Sequence, residues 1–275
     1  MLLGCDFSSS PDRRKPIVLA LGRRDGSTVT LDALERLPSL DDYRHWLARP
    51  RAWVGGFDFP FGLPRELVLA WGWPTGWRAC IETYAACSRA ELRERFKAFC
   101  APRPAGGKFA HRATDGPAGA SPSMKWVNPP VAYMLHAGVP PLIAAGVHVP
   151  GLLEPAPSEP PPRVALEAYP GLLARELLGR SSYKSDDRAR QTEARREARV
   201  RLVEALEQGR SRLGLRLVTA PPLRAQLIDD PSGDSVDAVL CLVQAAWGER
   251  QGAPWYGLPE GMDPLEGWIV SAPAA

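Results

Sequence analysis

The sequence predicts a single α/β domain built on a mixed β-sheet, and three observations lead to this fold class. The chain has 275 residues, which suits one large α/β domain or two small ones. Hydrophobic residues make up 45% and charged residues 24%, as in chains that bury a core, which excludes collagen, coiled coil and global disorder. Several short apolar, strand-like runs end in an acidic residue, an arrangement that favours an open sheet with a functional edge.

The first part of the chain predicts an antiparallel start to the sheet. Residues 2–6 and 17–21 are apolar runs, and the Asp25-Gly26 pair marks a tight turn. Residues 28–31 alternate in polarity and are expected to pair back. A helix follows over residues 34–47, broken near Pro38 and capped by Asp41 or Asp42.

The later elements follow from apolar runs and helical periodicity. Strands are predicted at residues 53–58, 163–167 and 267–270. Helices are predicted at residues 65–71, 78–100, 171–178, 187–210 and 234–247. The uncharged segment 131–149 contains Pro140 and Pro141, so it indicates two buried helices or turns and not a membrane span.

Prolines predict a large insert in this sheet. The chain has 29 prolines, which cluster after the strand that ends at Asp58 and in a stiff linker at residues 151–162. A Pro/Gly-rich basic stretch at residues 102–125 is expected to leave the core. We therefore predict one domain that carries an insert or cap at about residues 72–162.

The net charge and the cysteine content exclude some classes of function and of site. The formal net charge of +3 excludes nucleic-acid binding by bulk charge alone, although a local basic groove is compatible with it. Five cysteines without a C-x-x-C pair suggest neither a disulfide framework nor a zinc site. We expect a cytoplasmic protein with no membrane segment.

The clearest functional signal is the placement of acids. Asp6, Asp58 and Glu167 each end an apolar run, and the carboxyl ends of strands in open α/β sheets share the edge where ligands bind. Asp234 and Asp237 are three residues apart at a predicted helix start, so they share one face. Carboxylates brought together repel one another, and Mg²⁺ or Mn²⁺ relieves the repulsion. Two such ions can activate water in phosphodiester cleavage.

Each acid also has an ordinary structural interpretation. Asp6 and Asp58 could close turns, and Glu167 could pair with an arginine. Asp234 and Asp237 could favour the start of a helix. Since this explanation must hold five times over, the whole set favours a site.

Five motifs in order resemble a known family. They are Gly4-Cys5-Asp6-Phe7-Ser8, the stretch from Gly56 to Pro64 around Asp58-Phe59-Pro60, Glu167-Ala168-Tyr169-Pro170, Tyr183-Lys184, and Asp234-Ser235-Val236-Asp237-Ala238. Together they resemble the bacterial and archaeal domain-of-unknown-function family 429, described as predicted nucleases with a ribonuclease H-like fold. The motifs span residues 4 to about 245, and the long insert departs from the core pattern.

The resemblance implies a fold and a site. It implies a ribonuclease H-like mixed sheet whose first three strands are antiparallel, with helices on both faces. It also implies that Asp6, Asp58 and Asp237 bind Mg²⁺ or Mn²⁺, and that Glu167 and Asp234 complete the catalytic acids.

Basic residues supply candidate substrate contacts. Lys108, His111, Arg112 and Lys125 form a sparse basic cluster in the insert, which either grips a phosphate or is a solvated loop. Lys184 could also reach a phosphate, as could many surface lysines.

The leading hypothesis is a Mg²⁺- or Mn²⁺-dependent phosphodiesterase that cleaves nucleic acid. An actin- or sugar-kinase-type phosphotransferase or ATPase is a second hypothesis, although glycine-rich phosphate loops are missing after the early strands. A non-catalytic binding domain with structural acids is a third.

Overall fold

The predicted mixed sheet is confirmed by the computed structural model, which describes residues 1–153 and 163–274. Six strands form it: β1 (Leu2–Asp6), β2 (Ile17–Asp25), β3 (Thr28–Leu37), β4 (Trp53–Phe57), β5 (Arg163–Glu167) and β6 (Arg216–Thr219). Their order across the sheet is β5-β4-β1-β2-β3-β6.

The first three strands are antiparallel, as predicted. β1 pairs with β2, and β2 pairs with β3 through a tight turn in which Asp25 is the register partner of Thr28. Gly26 occupies the left-handed region in this turn, with φ of 56°. β4 and β5 extend the sheet in parallel from β1, and β6 pairs in parallel with β3.

Helices surround the sheet. The described residues form α1 (Leu40–Leu47), α2 (Arg65–Ala70), α3 (Trp77–Ala86), α4 (Arg89–Cys100), α5 (Asp115–Ala118), α6 (Val131–Ala144), α7 (Pro170–Leu178), α8 (Glu193–Glu207), α9 (Pro221–Asp229) and α10 (Asp234–Gln251). None of these helices is long and apolar enough to cross a membrane.

The two faces of the sheet contribute to separate hydrophobic cores, because neighbouring residues of a strand point in opposite directions. Leu3 and Ile17 pack with α1 and with α2, α3, α4 and α6. Leu2 and Val18 pack on the other side with α7, α8, α9 and α10.

The predicted helix over residues 34–47 is wrong in its first part. Residues 34–37 continue β3, where Leu37 is buried opposite Ile17 of β2. Helix α1 is capped by Ser39, whose hydroxyl accepts a hydrogen bond from the Asp42 N–H at 3.0 Å. Asp41 and Asp42 therefore lie in the first turn and are not the cap.

Two other predicted helical segments have different boundaries. The helix predicted at residues 78–100 is interrupted before α4, where Ser88 and Glu91 form a capping box that starts a new helix. Segment 131–149 holds one helix, α6, which includes Pro140 and Pro141. The predicted pair of helices or turns there is therefore wrong.

The C-terminal part contains the remaining differences. The helix predicted at 187–210 consists of a short 3₁₀ turn, Arg188–Arg190, followed by α8. In the predicted strand 267–270 only Ile269 forms a bridge, to Glu167. Strand β6 and helix α9 were not predicted. Strand β6 is a four-residue edge strand with one buried side chain, so its sequence pattern is weak.

The region predicted to be an insert contains α3, α4, α5 and α6, between α2 and β5. Residues 154–162 of the predicted stiff linker lie outside the described residues.

Candidate functional site

Asp6 and Asp58 lie side by side at the carboxyl edge of two parallel strands. Asp6 is the last residue of β1, and Asp58 directly follows β4. Cys5 and Phe57 are register partners, and the Asp58 N–H donates a hydrogen bond to the Cys5 carbonyl at 2.9 Å. The predicted meeting of strand-end acids at this edge is therefore present for these two residues and for Glu167, which ends the parallel strand β5 as the register partner of Phe57.

Two glycines allow helix α10 to lie directly on these strands. Gly4 and Gly56 are register partners, each two residues before an aspartate and thus on the same face of the sheet as that aspartate. A Cβ atom on Gly4 would lie 1.9 Å from the Ala238 carbonyl oxygen, and one on Gly56 would lie 2.5 Å from the Cys241 carbonyl oxygen. Any larger residue would push α10 away from the sheet.

This close packing brings the first turn of α10 to the same edge. Asp234 is 7% exposed and Asp237 is completely buried. The Tyr183 hydroxyl donates a hydrogen bond to Asp237 Oδ1 at 2.5 Å, and Lys184 Nζ forms an ion pair with Asp237 Oδ2. Asp237 is thus held from two sides by the segment that follows α7.

The clustered acids raise one another's pKa values. Burial and then the charges of Asp237 and Asp234 raise the pKa of Asp6 well above its usual value. Burial raises the pKa of Asp58 to about 7, Lys184 opposes the shift, and Asp237 adds to it. The pKa of Asp234 is raised in the same direction by burial and by Asp230. Burial and mutual repulsion therefore both favour the neutral form of these carboxyl groups.

Glu167 lies at the same edge and lines the same cavity, but its carboxylate is bonded within a buried network. Its two carboxylate oxygens accept hydrogen bonds from Arg112 at 2.6 and 2.7 Å, and the Phe61 N–H donates to it at 2.8 Å. Burial raises the pKa of Glu167, and the charge of Arg112 opposes this shift. The alternative that Glu167 pairs with an arginine is confirmed.

Arg112 uses all five of its guanidinium N–H groups within the protein. Two bonds go to Asp115 Oδ1, two to Glu167 and one to the Glu266 carbonyl oxygen. Arg112 is 3% exposed, so it ties the predicted insert to β5 and to the C-terminal segment. The prediction that Arg112 grips a phosphate is therefore corrected, because all of its guanidinium N–H groups are used within the protein.

Lys108 and His111 are exposed and do not line the cavity beside the acids. Their predicted role as phosphate ligands over the acids is therefore also corrected. Lys184 does line that cavity, as its prediction requires.

The acids open into a cavity of about 680 Å³. Its charged lining residues are Asp6, Lys15, Asp58, Arg112, Glu167, Lys184, Asp186 and Asp234. Lys15 and its ion-pair partner Asp186, 2.6 Å apart, were missed by sequence reasoning. They come from two segments 171 residues apart, and neither is part of a motif that marks a site.

The donor chemistry fits a hard divalent cation, although the side chains are not arranged around one. Among the described residues, no group of three or more His, Cys, Asp or Glu side chains is placed to hold a metal ion. Asp237 is instead bonded to Lys184 and Tyr183. Asp6 and Asp58 offer carboxylate oxygens, the ligands that Mg²⁺ and Mn²⁺ prefer.

No protein-family model, no curated protein and no solved structure matches the chain in the comparisons made with them. The resemblance to family 429 stays a prediction that is based on the motifs alone.

Proposed function

We propose that this chain is a Mg²⁺- or Mn²⁺-dependent phosphodiesterase that cleaves nucleic acid and has a ribonuclease H-like fold. The observation that carries the proposal is the adjacency of Asp6 and Asp58 at the carboxyl edge of β1 and β4, with Asp237 buried beside them. The antiparallel β1-β2-β3 meander next to parallel β4 and β5 supports the fold assignment.

The charge of the cavity supports a need for a cation. Acidic residues outnumber basic residues by five to three in its lining, and Asp237 adds a further acid behind them. Lys15, Arg112 and Lys184 are each paired with a carboxylate. Where these acids are ionised, a phosphate group would be repelled from such a surface unless a divalent cation offset the excess charge.

The roles follow from the contacts. Asp6 and Asp58 would hold the cation, and Asp237 would join them if Lys184 moved aside. A bound divalent cation would supply acidified water and stabilise the leaving oxygen. Asp234 lines the cavity and would add negative charge at its rim. Glu167 would act indirectly, through Arg112, because its carboxylate is paired with that residue.

Lys184 and Tyr183 have supporting roles in this proposal. The Tyr183 hydroxyl holds Asp237 Oδ1 and orients the carboxylate. Lys184 balances the charge of Asp237, and its side chain is 44% exposed, so its ammonium group would reach a substrate phosphate if it left Asp237.

The decisive experiment compares Asp6→Asn with the wild-type protein. Each protein is freed of metal with EDTA and supplied with Mn²⁺, and cleavage of end-labelled single-stranded and duplex oligonucleotides is measured. Wild type should cleave only when Mn²⁺ is present, and Asp6→Asn should lose this activity. Asp41→Asn, the same chemical change at an exposed position of α1, should behave as wild type. Full activity of Asp6→Asn would contradict the mechanism.

The same proteins distinguish the alternatives. Stabilisation by ATP without strand cleavage would favour a phosphotransferase or ATPase. Absence of any Mn²⁺ effect on thermal stability at millimolar concentrations would favour a non-catalytic domain.

A further inference from the structure

The cavity beside the acids has two chemically different walls. The wall near Asp6 is polar and includes Ser8, Ser9, Lys184 and Ser232. The second wall is largely apolar and comes from the predicted insert at the start of α6, where Asn128, Pro129, Pro130, Val131 and Met134 line the cavity. Pro129 and Pro130 are exposed and Val131 and Met134 are half-buried, so the fold leaves this apolar surface uncovered.

The apolar wall is held at a fixed position relative to the acids. Phe59 directly follows Asp58, and a Cβ atom on Gly138 of α6 would lie 2.8 Å from the Phe59 ring. On its other side α6 is anchored to α3, since the Tyr84 hydroxyl donates a hydrogen bond to the Ala132 carbonyl at 2.8 Å. The predicted insert is also tied to the core by the Arg112–Glu167 pair. A rigid spacing between an apolar wall and reactive groups is what a specificity pocket requires.

The size and polarity of the cavity restrict what can enter it. A volume of about 680 Å³ lies in the range of pockets that enclose a small ligand, and α6 contributes Val131 and Met134 to its lining. A ligand that satisfies both walls carries an anionic group at one end and a flat apolar group at the other. A nucleotide has this form, but in a duplex the faces of its base are covered by stacked neighbours and its edge is paired.

We infer that the cavity accepts one unpaired nucleotide of the substrate, with its phosphate toward Asp6 and Asp58 and its base against Pro130, Val131 and Met134. This inference rests on the proposed function and specifies its substrate class. The enzyme then acts on single-stranded nucleic acid or on an unpaired end, and a fully paired blunt duplex is a poor substrate.

The test uses Val131→Asp, which places a charge on the apolar wall. Val131 is the first residue of α6, a position where the helix dipole favours an acid. The substitution should therefore leave the helix folded. The matched control is Val127→Asp in the same segment, because Val127 is 49% exposed and does not line the cavity. Mn²⁺-dependent cleavage is measured on a single strand, on a duplex with a single-stranded overhang and on a blunt duplex of the same sequence.

Wild type should cleave the single strand and the overhang and leave the blunt duplex largely intact. Val131→Asp should lower kcat/KM on the single strand by about tenfold or more. Val127→Asp should match wild type. Equal cleavage of blunt duplex and single strand, or unchanged cleavage by Val131→Asp, would overturn the inference and leave the proposed function in place.

A binding measurement keeps the inference separate from the proposed function. If wild type cleaves no substrate, the melting temperature is measured with 5′-AMP and Mn²⁺ together. A rise in wild type and in Val127→Asp that is absent in Val131→Asp supports the nucleotide pocket even though hydrolysis fails. No rise in wild type would overturn the pocket as well.

Discussion

The ammonium group of Lys184 is paired with the completely buried carboxylate of Asp237. Among the residues that the structure describes, this pair joins a basic side chain of the cavity directly to the aspartate cluster. The Tyr183 hydroxyl holds the other oxygen of the same carboxylate. Because Asp6 and Asp58 already repel this carboxylate, the pair offsets part of the electrostatic cost of placing three acids together.

Replacement of Lys184 should therefore destabilise the protein. Lys184→Gln leaves Asp237 buried beside other acids without a counter-ion, and the free energy of unfolding in EDTA at pH 7.5 should fall by about 1–3 kcal/mol. Lys97→Gln is the control, because Lys97 pairs with Glu94 at an exposed site where the loss should stay below about 0.5 kcal/mol. Urea denaturation measures both, and equal small losses would show that Lys184 does not balance the cluster.

The close packing of α10 on the sheet gives a second prediction. Gly4→Ala would push a methyl group into the Ala238 carbonyl, so the variant should lose about 3 kcal/mol or fail to fold. Gly76→Ala is the control, since a Cβ atom at Gly76 meets no atom within 4 Å and its φ is −78°. Thermal melting of the two purified variants tests this, and a normal melting temperature for Gly4→Ala would contradict the packing.

The acid cluster should make stability depend on pH. The pKa of Asp58 is raised from 3.8 to about 7, so the folded protein keeps a proton that the unfolded chain releases as the pH rises between these values. Wild type should therefore lose stability relative to Asp58→Asn as the pH rises from about 4 to about 7, and the difference should level off above that.

Urea denaturation of wild type and Asp58→Asn at several pH values, in EDTA, measures this difference. The comparison between the two proteins cancels the titrating groups that lie away from the acid cluster. A difference that stays constant from pH 4.5 to 7.5 would mean that Asp58 ionises as an ordinary surface carboxylate.

Arg112 gives a prediction that concerns structure and not chemistry. Arg112→Met leaves Glu167 and Asp115 buried without their shared partner, and the protein should lose about 3–5 kcal/mol. Arg78→Met removes only an exposed pair with Glu82 on α3 and should cost little. If Arg112→Met unfolded at the wild-type urea concentration, the buried network would have no stabilising role.

Local sequence patterns predicted the sheet and the strand-end acids well. Asp6 and Asp58 follow short apolar runs, and parallel pairing of such runs places their ends together whatever the helices do. The antiparallel pairing of the first strands was equally predictable from the sequence, because Asp25-Gly26 favours a two-residue turn.

What could not be predicted depends on partners far away in the sequence. The hydrogen bonds from Arg112 to Glu167 and to Glu266 join residues that are 55 and 154 positions apart. The sequence around Arg112 therefore does not distinguish a phosphate-binding arginine in a loop from a buried structural arginine. Residues 34–37 have helical spacing, yet pairing with β2 makes them strand. Strand β6 buries one side chain and carries almost no signal. Helix α9, which follows β6, did carry a sequence signal, because it begins with two prolines, which are typical of a first helical turn.

We propose that Asp6 and Asp58 form a divalent-cation site together with Asp237. The most direct measurement is anomalous X-ray scattering from crystals soaked in Mn²⁺, with Asp6→Asn crystals treated in the same way. We predict an anomalous peak in wild type between the Asp6 and Asp58 carboxylates, with Mn–O distances of about 2.0–2.3 Å, and its absence in Asp6→Asn. A wild-type map without a peak there, at a Mn²⁺ concentration that labels other sites, would contradict the account.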